Sequence, residues 1–328
     1  MNYRTLGKTG FEISEISLGT WQVGGKWGSG FNHAAAENIL RTAIDAGINF
    51  IDTADVYEVG ESEIAVGKIL KQYQQRIYVA TKCGRQIQPH INAGYTTSVL
   101  RKYVEDSLQR LQVERIDLIQ LHCPPTEVYY RPEIFGLFEQ LQQEGKIAHL
   151  GVSVEKVEEA LKAIEYPNVT TVQIIYNLFR QRPNEYFFER AAAKNVGIIA
   201  RVPLASGLLT GQYSLETQFA PGDHRQGNRN GEWFDKGETF AGIPYEIGLT
   251  AVDALKQIVG SNTSLIAVAL QWILNSKEVS CVIPGASSSK QVQGNIAAVG
   301  EPTFSAEQLQ AMNAVYTQYI QPHVHHLW

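Results

Sequence analysis

The fold prediction starts from the stretch Ile48-Asn49-Phe50-Ile51-Asp52-Thr53-Ala54-Asp55-Val56-Tyr57. Its first four residues form a short, mainly apolar run of the kind that a parallel sheet buries on both faces. Asp52 interrupts this run where a strand would leave the core, and Tyr57 follows in the loop beyond. A carboxylate and a phenol are therefore predicted at the carboxyl end of a buried strand.

Two further runs repeat this arrangement. Residues 77–81 end at Lys82, and residues 116–121 end at His122. If these strands are parallel neighbours, their carboxyl ends meet on one rim, which is where α/β folds place their chemistry. An acid, a phenol, an amine and an imidazole would then converge there.

Eight strand-like runs alternate with helical stretches along the chain. The runs cover residues 16–19, 48–52, 77–82, 116–121, 147–153, 171–176, 197–202 and 279–283. This alternation predicts a (β/α)8 TIM barrel in which residues 1–328 form one domain. An N-terminal β-hairpin that turns through Gly10 would plug the bottom of the barrel. Residues 305–319 predict an extra C-terminal helix with Ser305 as N-cap, from which residues 322–328 would trail.

A long irregular stretch, from about residue 212 to 245, follows the seventh strand. Loops of this length inside a compact domain are usually functional, so it is expected on the catalytic rim. The glycine-rich residues 24–30 fit neither GxGxxG nor GxxxxGK[ST], so a doubly wound dinucleotide fold loses its main support.

Composition excludes several classes of function. The 328 residues are 44% apolar and carry a formal net charge of −5, so we expect a sizeable core and no nucleic-acid partner. No apolar run reaches the roughly 20 residues that span a bilayer, and no secretory signal is recognisable at the N-terminus. We therefore expect a cytoplasmic protein. The three cysteines, Cys83, Cys123 and Cys281, are expected to be reduced and buried.

Several separated motifs resemble those of the aldo-keto reductases. They are residues 50–54 with Tyr57, then Thr81-Lys82, then 120–122, and finally 282–286. The resemblance extends from about Tyr3 to about Tyr316 and is strongest to the bacterial branch that includes general stress reductases. It implies an NAD(P)H-dependent enzyme that reduces a small carbonyl substrate to an alcohol.

By this resemblance, Tyr57, Lys82, Asp52 and His122 match the catalytic tetrad of the family. Hydride reduction of a carbonyl also needs a proton for the oxygen. Tyr57 could supply this proton, although the pKa of a free tyrosine is about 10. A neighbouring lysine ammonium would lower that pKa, Asp52 would hold Lys82, and His122 could donate a hydrogen bond to the substrate oxygen.

The resemblance also implies cofactor contacts. Ser153 and Gln173 would hold the nicotinamide carboxamide, although Val154 stands where the family usually has asparagine. Arg201 replaces a common stacking aromatic residue, and a cation there would favour the reduced cofactor and carbonyl reduction. The full predicted set is Thr20, Trp21, Asp52, Ser153, Gln173, Arg201, Pro203, Leu204, Ser206, Gly207, Leu209, Gly285, Ser287, Lys290, Gln291 and Asn295.

The adenosine end of this set favours NADPH, with NADH as the alternative. The family often has arginine at the position of Ser287, and that arginine is missing. Ser287 and Lys290, at the start of a predicted helix, could still receive a phosphate. We predict no metal, because the histidines near residue 325 lie in a terminal tail where imidazoles are usually solvated.

Two other functions remain open at this point. Lys82 could form a Schiff base, as in lysine-dependent aldolases, or the chain could be a cofactor-sensing subunit similar to the potassium-channel β subunits. Aldehydes, quinone-like carbonyls and sugars are all candidate substrates, and the protein could be a monomer or a homo-oligomer. The substrate pocket is predicted to contain Trp21, Trp27, Tyr57, His122 and the pair Trp233-Phe234.

Overall fold

The computed structural model describes residues 1–25, 30–260, 263–298, 300 and 304–328. Two sequence predictions fall partly outside these ranges: Trp27 as a pocket residue, and most of the glycine-rich stretch 24–30.

Eight parallel strands form the predicted barrel. After a hairpin of β1 (Tyr3–Thr5) and β2 (Glu12–Ser14), the barrel strands are β3 (Leu18–Gly19), β4 (Phe50–Asp52), β5 (Tyr78–Cys83), β6 (Ile116–His122), β7 (Ile147–Ser153), β8 (Val169–Ile175), β9 (Gly197–Arg201) and β10 (Val279–Val282). Each pairs with its neighbour in chain order. The first and last strands meet through the parallel bridges Ile16–Val282 and Gly19–Gly285. The barrel prediction is therefore confirmed.

Amphipathic helices surround the strands. They are α1 (His33–Asp45), α2 (Glu61–Leu70), α3 (Thr97–Leu111), α4 (Pro132–Gln143), α5 (Val157–Ala163), α6 (Arg182–Tyr186), α7 (Phe188–Ala193), α8 (His224–Gly227), α9 (Tyr245–Val259), α10 (Leu265–Leu274), α11 (Ser289–Ile296), α12 (Ala306–Val315) and α13 (Gln321–Val324). In α1 the buried side chains recur at helical spacing, from Ala36 to Ile44, and face the strands.

The N-terminal hairpin packs into one end of the barrel, as predicted. Leu6 and Ile13 are completely buried in a cluster with the inward-facing strand residues Phe50, Leu118 and Ile199. Their burial fills this end, so the opposite end, formed by the carboxyl termini of the strands, is the one open for chemistry.

The C-terminal tail differs from its prediction. Ser305 caps α12 as expected, with a capping box to Gln308. The residues beyond do not trail in solvent, because Trp328 is buried, its indole Nε1 donates to Asp235 Oδ1 at 2.9 Å, and the guanidinium carbon of Arg180 lies 3.7 Å from its ring centroid. The histidine-rich segment is also engaged, since His325 contacts Tyr316. The tail packs against the long rim loop.

A buried carboxyl group next to β4 predicts a pH dependence of stability. The Asp55 side chain is fully buried, and among the described residues no side chain donates a hydrogen bond to it. Burial, reinforced by Glu63, raises the pKa of Asp55 from 3.8 to about 8. The unfolded chain therefore releases this proton at lower pH than the folded protein does.

Wild-type stability is accordingly expected to fall relative to Asp55→Asn by about 1.4 kcal/mol per pH unit as pH rises from 3.8 towards 8. Above that range both states are ionised and the difference should level off. Urea unfolding of both proteins across pH measures it, with Asp253→Asn, on an exposed carboxylate, as the control for losing one charge. A pH-independent difference would mean that Asp55 is ionised in the folded protein.

Candidate active site

The carboxyl ends of β4, β5 and β6 bring the predicted tetrad together. Lys82 is completely buried, and its Nζ lies 2.5 Å from Asp52 Oδ2, 2.9 Å from the Thr53 carbonyl oxygen and 3.1 Å from Tyr57 Oη. The rings of Tyr57 and His122 meet edge to face with 5.9 Å between centroids. The strand register thus places an ammonium, a carboxylate, a phenol and an imidazole in one group.

Burial controls the protonation of this group. It raises the pKa of Tyr57 above its usual value, and Lys82 opposes this rise. Lys82 therefore acts in the expected direction, but burial outweighs it and the phenol stays protonated at neutral pH. Burial, together with Arg85 and Lys82, lowers the pKa of His122 well below its usual value, so this imidazole is neutral. For Lys82, burial alone would lower the pKa, yet Asp52 and Tyr57 raise it overall.

Two glutamine side chains complete the surroundings of Asp52. Gln173 Nε2 and Gln120 Nε2 donate to Asp52 Oδ1 at 2.8 and 3.1 Å. The amide nitrogen of Gln173, which the resemblance assigns to the cofactor, is thus directed at Asp52. We did not assign Gln120 a role from the sequence, although it precedes His122 by two residues and so points to the same interior on the same strand.

A cavity of about 750 Å³ opens beside the tetrad. Most predicted site residues line it: Thr20, Trp21, Asp52, Tyr57, His122, Ser153, Gln173, Arg201, Pro203, Leu204, Ser206, Gly207, Gly285, Lys290, Gln291 and Asn295. Lys82 lies behind this surface and reaches it through Tyr57. Leu209 and Ser287 are not among the lining residues. The side chain of Leu209 is buried in a core cluster instead.

Aromatic rings form one wall of the cavity. Trp21 lies 6.3 Å from Tyr57, 5.2 Å from His224 and 6.0 Å from Phe234 between ring centroids. The last two rings come from the long rim loop, so the prediction that this loop reaches the site is supported by its contacts. Trp233 differs from its prediction, because it is 51% exposed and does not line the cavity.

The segment after β9 has an unusual backbone. Ser206 and Gly207 are consecutive residues in the left-handed region, with φ of 55° and 99°. The Gly207 N–H donates to the Leu204 carbonyl oxygen at 2.9 Å, so these residues form a tight turn beside the cavity. Ser206 Oγ also joins this segment to the rim loop by donating to the Glu238 carbonyl oxygen at 2.9 Å.

The far end of the cavity lies at the first turn of α11. Ser288 is the N-cap, Lys290 and Gln291 lie in the first turn, and all three line the cavity. The Ser287 backbone N–H donates to Gln291 Oε1 at 2.7 Å. Unpaired N–H groups of a first helical turn, with a lysine beside them, favour a phosphate.

Arg201 is surrounded by carboxylates, which the sequence hypothesis did not foresee. Its Nη2 donates to Glu155 Oε2 at 2.8 Å and to the Val154 carbonyl oxygen at 3.1 Å, and its Nη1 lies 3.6 Å from Glu238 Oε1. The guanidinium is therefore not the uncompensated cation on which the expected bias towards the reduced cofactor depended. The side chains of Cys123, Glu155 and Glu238 form one group that could in principle hold a metal ion, but all three lie against this guanidinium, whose positive charge disfavours a metal ion there.

Arg85 and Glu238 are further cavity residues that sequence reasoning missed. Arg85 follows Lys82 by three residues, just after a barrel strand. This position could have identified it as a residue of the catalytic rim. Glu238 lies in the irregular loop and pairs with Arg85, 153 residues away in the sequence. No local sequence pattern predicts this pairing.

No helix in the described ranges combines the length and the apolar character needed to cross a membrane.

Comparisons with known proteins found similar sequences and structures. The sequence pattern of the Aldo/keto reductase family matches residues 15–317. The aldo-keto reductase YhdN of Bacillus subtilis is 30% identical over 324 residues, covering 96% of this chain and 93% of the relative. The NADH-specific methylglyoxal reductase of Escherichia coli is 28% identical, covering 90% and 92%. The structure of the glycerol dehydrogenase AKR11B4 from Gluconobacter oxydans superposes with a TM-score of 0.77 at 29% identity, covering 97% and 96%.

Proposed function

The chain belongs to the aldo/keto reductase family, and on that premise we propose that it reduces aldehydes and ketones to alcohols with NADPH and uses Tyr57 as the proton donor. Lys82, Asp52 and His122 assist, as the residues of one tetrad. The family consists of oxidoreductases that act on carbonyl compounds with a nicotinamide cofactor. The finer assignments rest on the arrangement of the side chains described above.

One observation carries the proposal: every hydrogen of the Lys82 ammonium has an acceptor. These acceptors are Asp52 Oδ2, the Thr53 carbonyl oxygen and Tyr57 Oη. Because a protonated lysine only donates, Tyr57 Oη accepts from it and keeps its own hydrogen for another acceptor. Tyr57 lines the cavity, so a carbonyl oxygen bound there can take this proton. The ammonium then stabilises the phenolate that remains.

The residues present fit a nicotinamide cofactor. Polar groups line one continuous cavity from Ser153, beside the tetrad, to Lys290 on α11, and the left-handed pair Ser206-Gly207 lies on the same cavity. When bound, the reduced nicotinamide supplies the hydride for the carbonyl carbon. His122, neutral and next to Tyr57, orients the carbonyl oxygen by donating a hydrogen bond.

The surroundings of Lys82 argue against Schiff-base chemistry. A nucleophilic lysine needs a lowered pKa and access to substrate. The side chain of Lys82 is 1% exposed and lies 2.5 Å from Asp52, and its pKa is raised. The amine is therefore protonated and enclosed.

The direct test is turnover with a reactive aromatic aldehyde, followed by the loss of reduced-nicotinamide absorbance and by identification of the alcohol. NADPH and NADH are compared in parallel. Stoichiometric alcohol formation supports the reductase. Tight NADPH binding without turnover of any aldehyde or ketone would contradict it and favour the cofactor-sensing function.

The choice of NADPH rests on Lys290 and gives a separate prediction. Lys290→Gln should weaken NADPH binding by about 10- to 100-fold, because a hydrogen bond to a charged group contributes roughly 1.5–3 kcal/mol. NADH, which lacks the phosphate, should be affected much less. Quenching of protein fluorescence measures both dissociation constants.

Lys277→Gln, an exposed lysine away from the cavity, is the matched control. Equal losses for both cofactors in Lys290→Gln would show that Lys290 does not recognise the phosphate. The Escherichia coli relative is named as NADH-specific, so NADH is the second candidate. The resemblance to the general-stress branch further favours aldehyde detoxification as the physiological role.

A further inference from the structure

Four ionisable side chains form a cluster on the wall of the cavity that holds the proposed proton donor, and we call them the quartet: Arg85, Glu155, Arg201 and Glu238. All have side chains that are at most 20% exposed. Arg85, Arg201 and Glu238 line the cavity. Arg201 belongs to the cofactor set that the resemblance implies, but the reductase chemistry proposed above uses none of the other three, so their presence in a buried wall needs another explanation. Burying charges is costly unless they are paired and hydrogen-bonded.

Within the quartet, Arg85 has N–H groups that are not hydrogen-bonded to the described part of the protein. Its Nη1 donates to Glu238 Oε1 at 3.0 Å. Among the described residues, no hydrogen bond joins its Nε or Nη2 to a protein acceptor, neither atom is among the fully buried ones, and Arg85 lines the cavity. Arg201 is more fully engaged: its Nη2 is bound to Glu155 and to a backbone carbonyl, its Nη1 faces Glu238, and its unpaired Nε is completely buried. Arg85 is thus the member that can donate to a bound molecule.

The Arg85–Glu238 pair lines the same cavity as Tyr57 and His122. The guanidinium carbon of Arg85 is 5.7 Å from the Phe234 ring centroid, which is itself 6.0 Å from that of Trp21, and Trp21 lies 6.3 Å from Tyr57. Arg85 is also the charged group with the largest effect on the pKa of His122. A molecule bound against Tyr57 in this cavity can therefore also reach Arg85 and Glu238.

The hydrogen-bonding groups of Arg85 and Glu238 determine which kind of ligand the pair can bind. A guanidinium donates, a carboxylate accepts, and a hydroxyl group does both. A carboxylate or phosphate on the substrate would face Glu238, which also lines the cavity, and would be repelled by it. A neutral hydroxyl avoids this repulsion and satisfies both partners.

We propose that Arg85 and Glu238 form a subsite for a hydroxyl group close to the reacting carbonyl, so that short hydroxyaldehydes are preferred substrates. This inference rests on the proposed reductase function. Arg85 is then a residue that determines specificity, while the tetrad performs the reduction. An aldehyde that lacks the hydroxyl leaves the pair without its ligand.

The test compares lactaldehyde with propanal, which differ by one hydroxyl group. Wild type, Arg85→Met and Arg85→Lys are assayed for kcat/KM on both. Arg85→Met should lower the lactaldehyde value about 10- to 100-fold more than the propanal value, as expected for one hydrogen bond to a charged group. Arg85→Lys should restore part of the difference. Hydration of the aldehydes in solution is the same for every variant and cancels from this comparison.

Arg225→Met is the matched control. Arg225 also lines the cavity, but its guanidinium is bound to Asp223 and Tyr213, so its loss should change both aldehydes alike. An unchanged lactaldehyde-to-propanal ratio in Arg85→Met would overturn the subsite. A loss confined to the anionic aldehyde glyoxylate would also overturn it. Absence of turnover of either aldehyde by wild type would instead refute the reductase function, so the two failures are distinguishable.

Discussion

Replacing Tyr57 by phenylalanine is expected to lower kcat for carbonyl reduction by about 10²- to 10⁴-fold, the usual contribution of a positioned general acid. The variant keeps the ring that packs against His122 and Trp21 and removes only the hydroxyl. The carbonyl oxygen then has no proton donor as its negative charge develops. Cofactor affinity should stay close to that of wild type, since in the proposed mechanism the hydroxyl acts on the substrate. Steady-state kinetics and cofactor titration together measure both quantities.

Tyr213→Phe is the control for the loss of a tyrosine hydroxyl from the same cavity. Tyr213 lines it, but its hydroxyl contacts Arg225 and the Ser206 carbonyl oxygen rather than Lys82. If Tyr57→Phe retained wild-type kcat, another group would have to supply the proton. The neutral His122 would be the first candidate.

The barrel could be predicted because its signal is local. A parallel strand buried on both faces reads as a continuous apolar run, and each run here ends at a polar residue or a turn. The strand expected at residues 77–82 is observed as Tyr78–Cys83, a shift of one residue at each end. The rim position of Lys82 follows directly from that boundary.

The missed features depend on contacts between distant parts of the chain. Pro322 and three nearby histidines give the C-terminal segment a polar, irregular pattern, so it was expected to trail. Trp328 instead reaches Asp235, 93 residues earlier, and is buried there. Nothing in the sequence around either residue shows this pairing.

The candidate active site likewise has features that the sequence predicts and features that it does not. The four tetrad residues could be placed because each ends or follows a recognisable strand. The direction in which the pKa of Tyr57 shifts could not be predicted from the sequence. Burial raises this pKa and Lys82 lowers it, and only the folded structure shows which effect is larger. The charge balance around Arg201 could not be predicted either, because its partners Glu155 and Glu238 follow β7 and lie in the rim loop, respectively. Sequence motifs show where the reactive side chains lie on the strands. The charges and the burial around those side chains depend on contacts between distant parts of the chain.

Replacing Asp52 by asparagine is expected to reduce the free energy of unfolding by about 3–5 kcal/mol, the cost of leaving a buried charge without its partner. Asp52 Oδ2 lies 2.5 Å from Lys82 Nζ, and both side chains are at most 2% exposed. The asparagine oxygen can still accept from Lys82 Nζ, but the ammonium then lacks a counter-charge and the asparagine NH2 faces the Gln120 and Gln173 donors. Urea unfolding measures the loss, and kcat should fall as well because Lys82 is no longer held against Tyr57.

The double variant Asp52→Asn/Lys82→Met separates stability from catalysis. With no buried ammonium left, much of the lost stability should return, whereas activity should stay low because Tyr57 has lost its cation. Asp106→Asn removes the partner of Lys102 in a surface pair and should cost only about 0–1 kcal/mol, which shows that burial sets the penalty. If the double variant were no more stable than Asp52→Asn, the loss would come from the Gln120 and Gln173 hydrogen bonds to Asp52 rather than from the buried charge. The carboxylate would then act mainly by ordering these two amides.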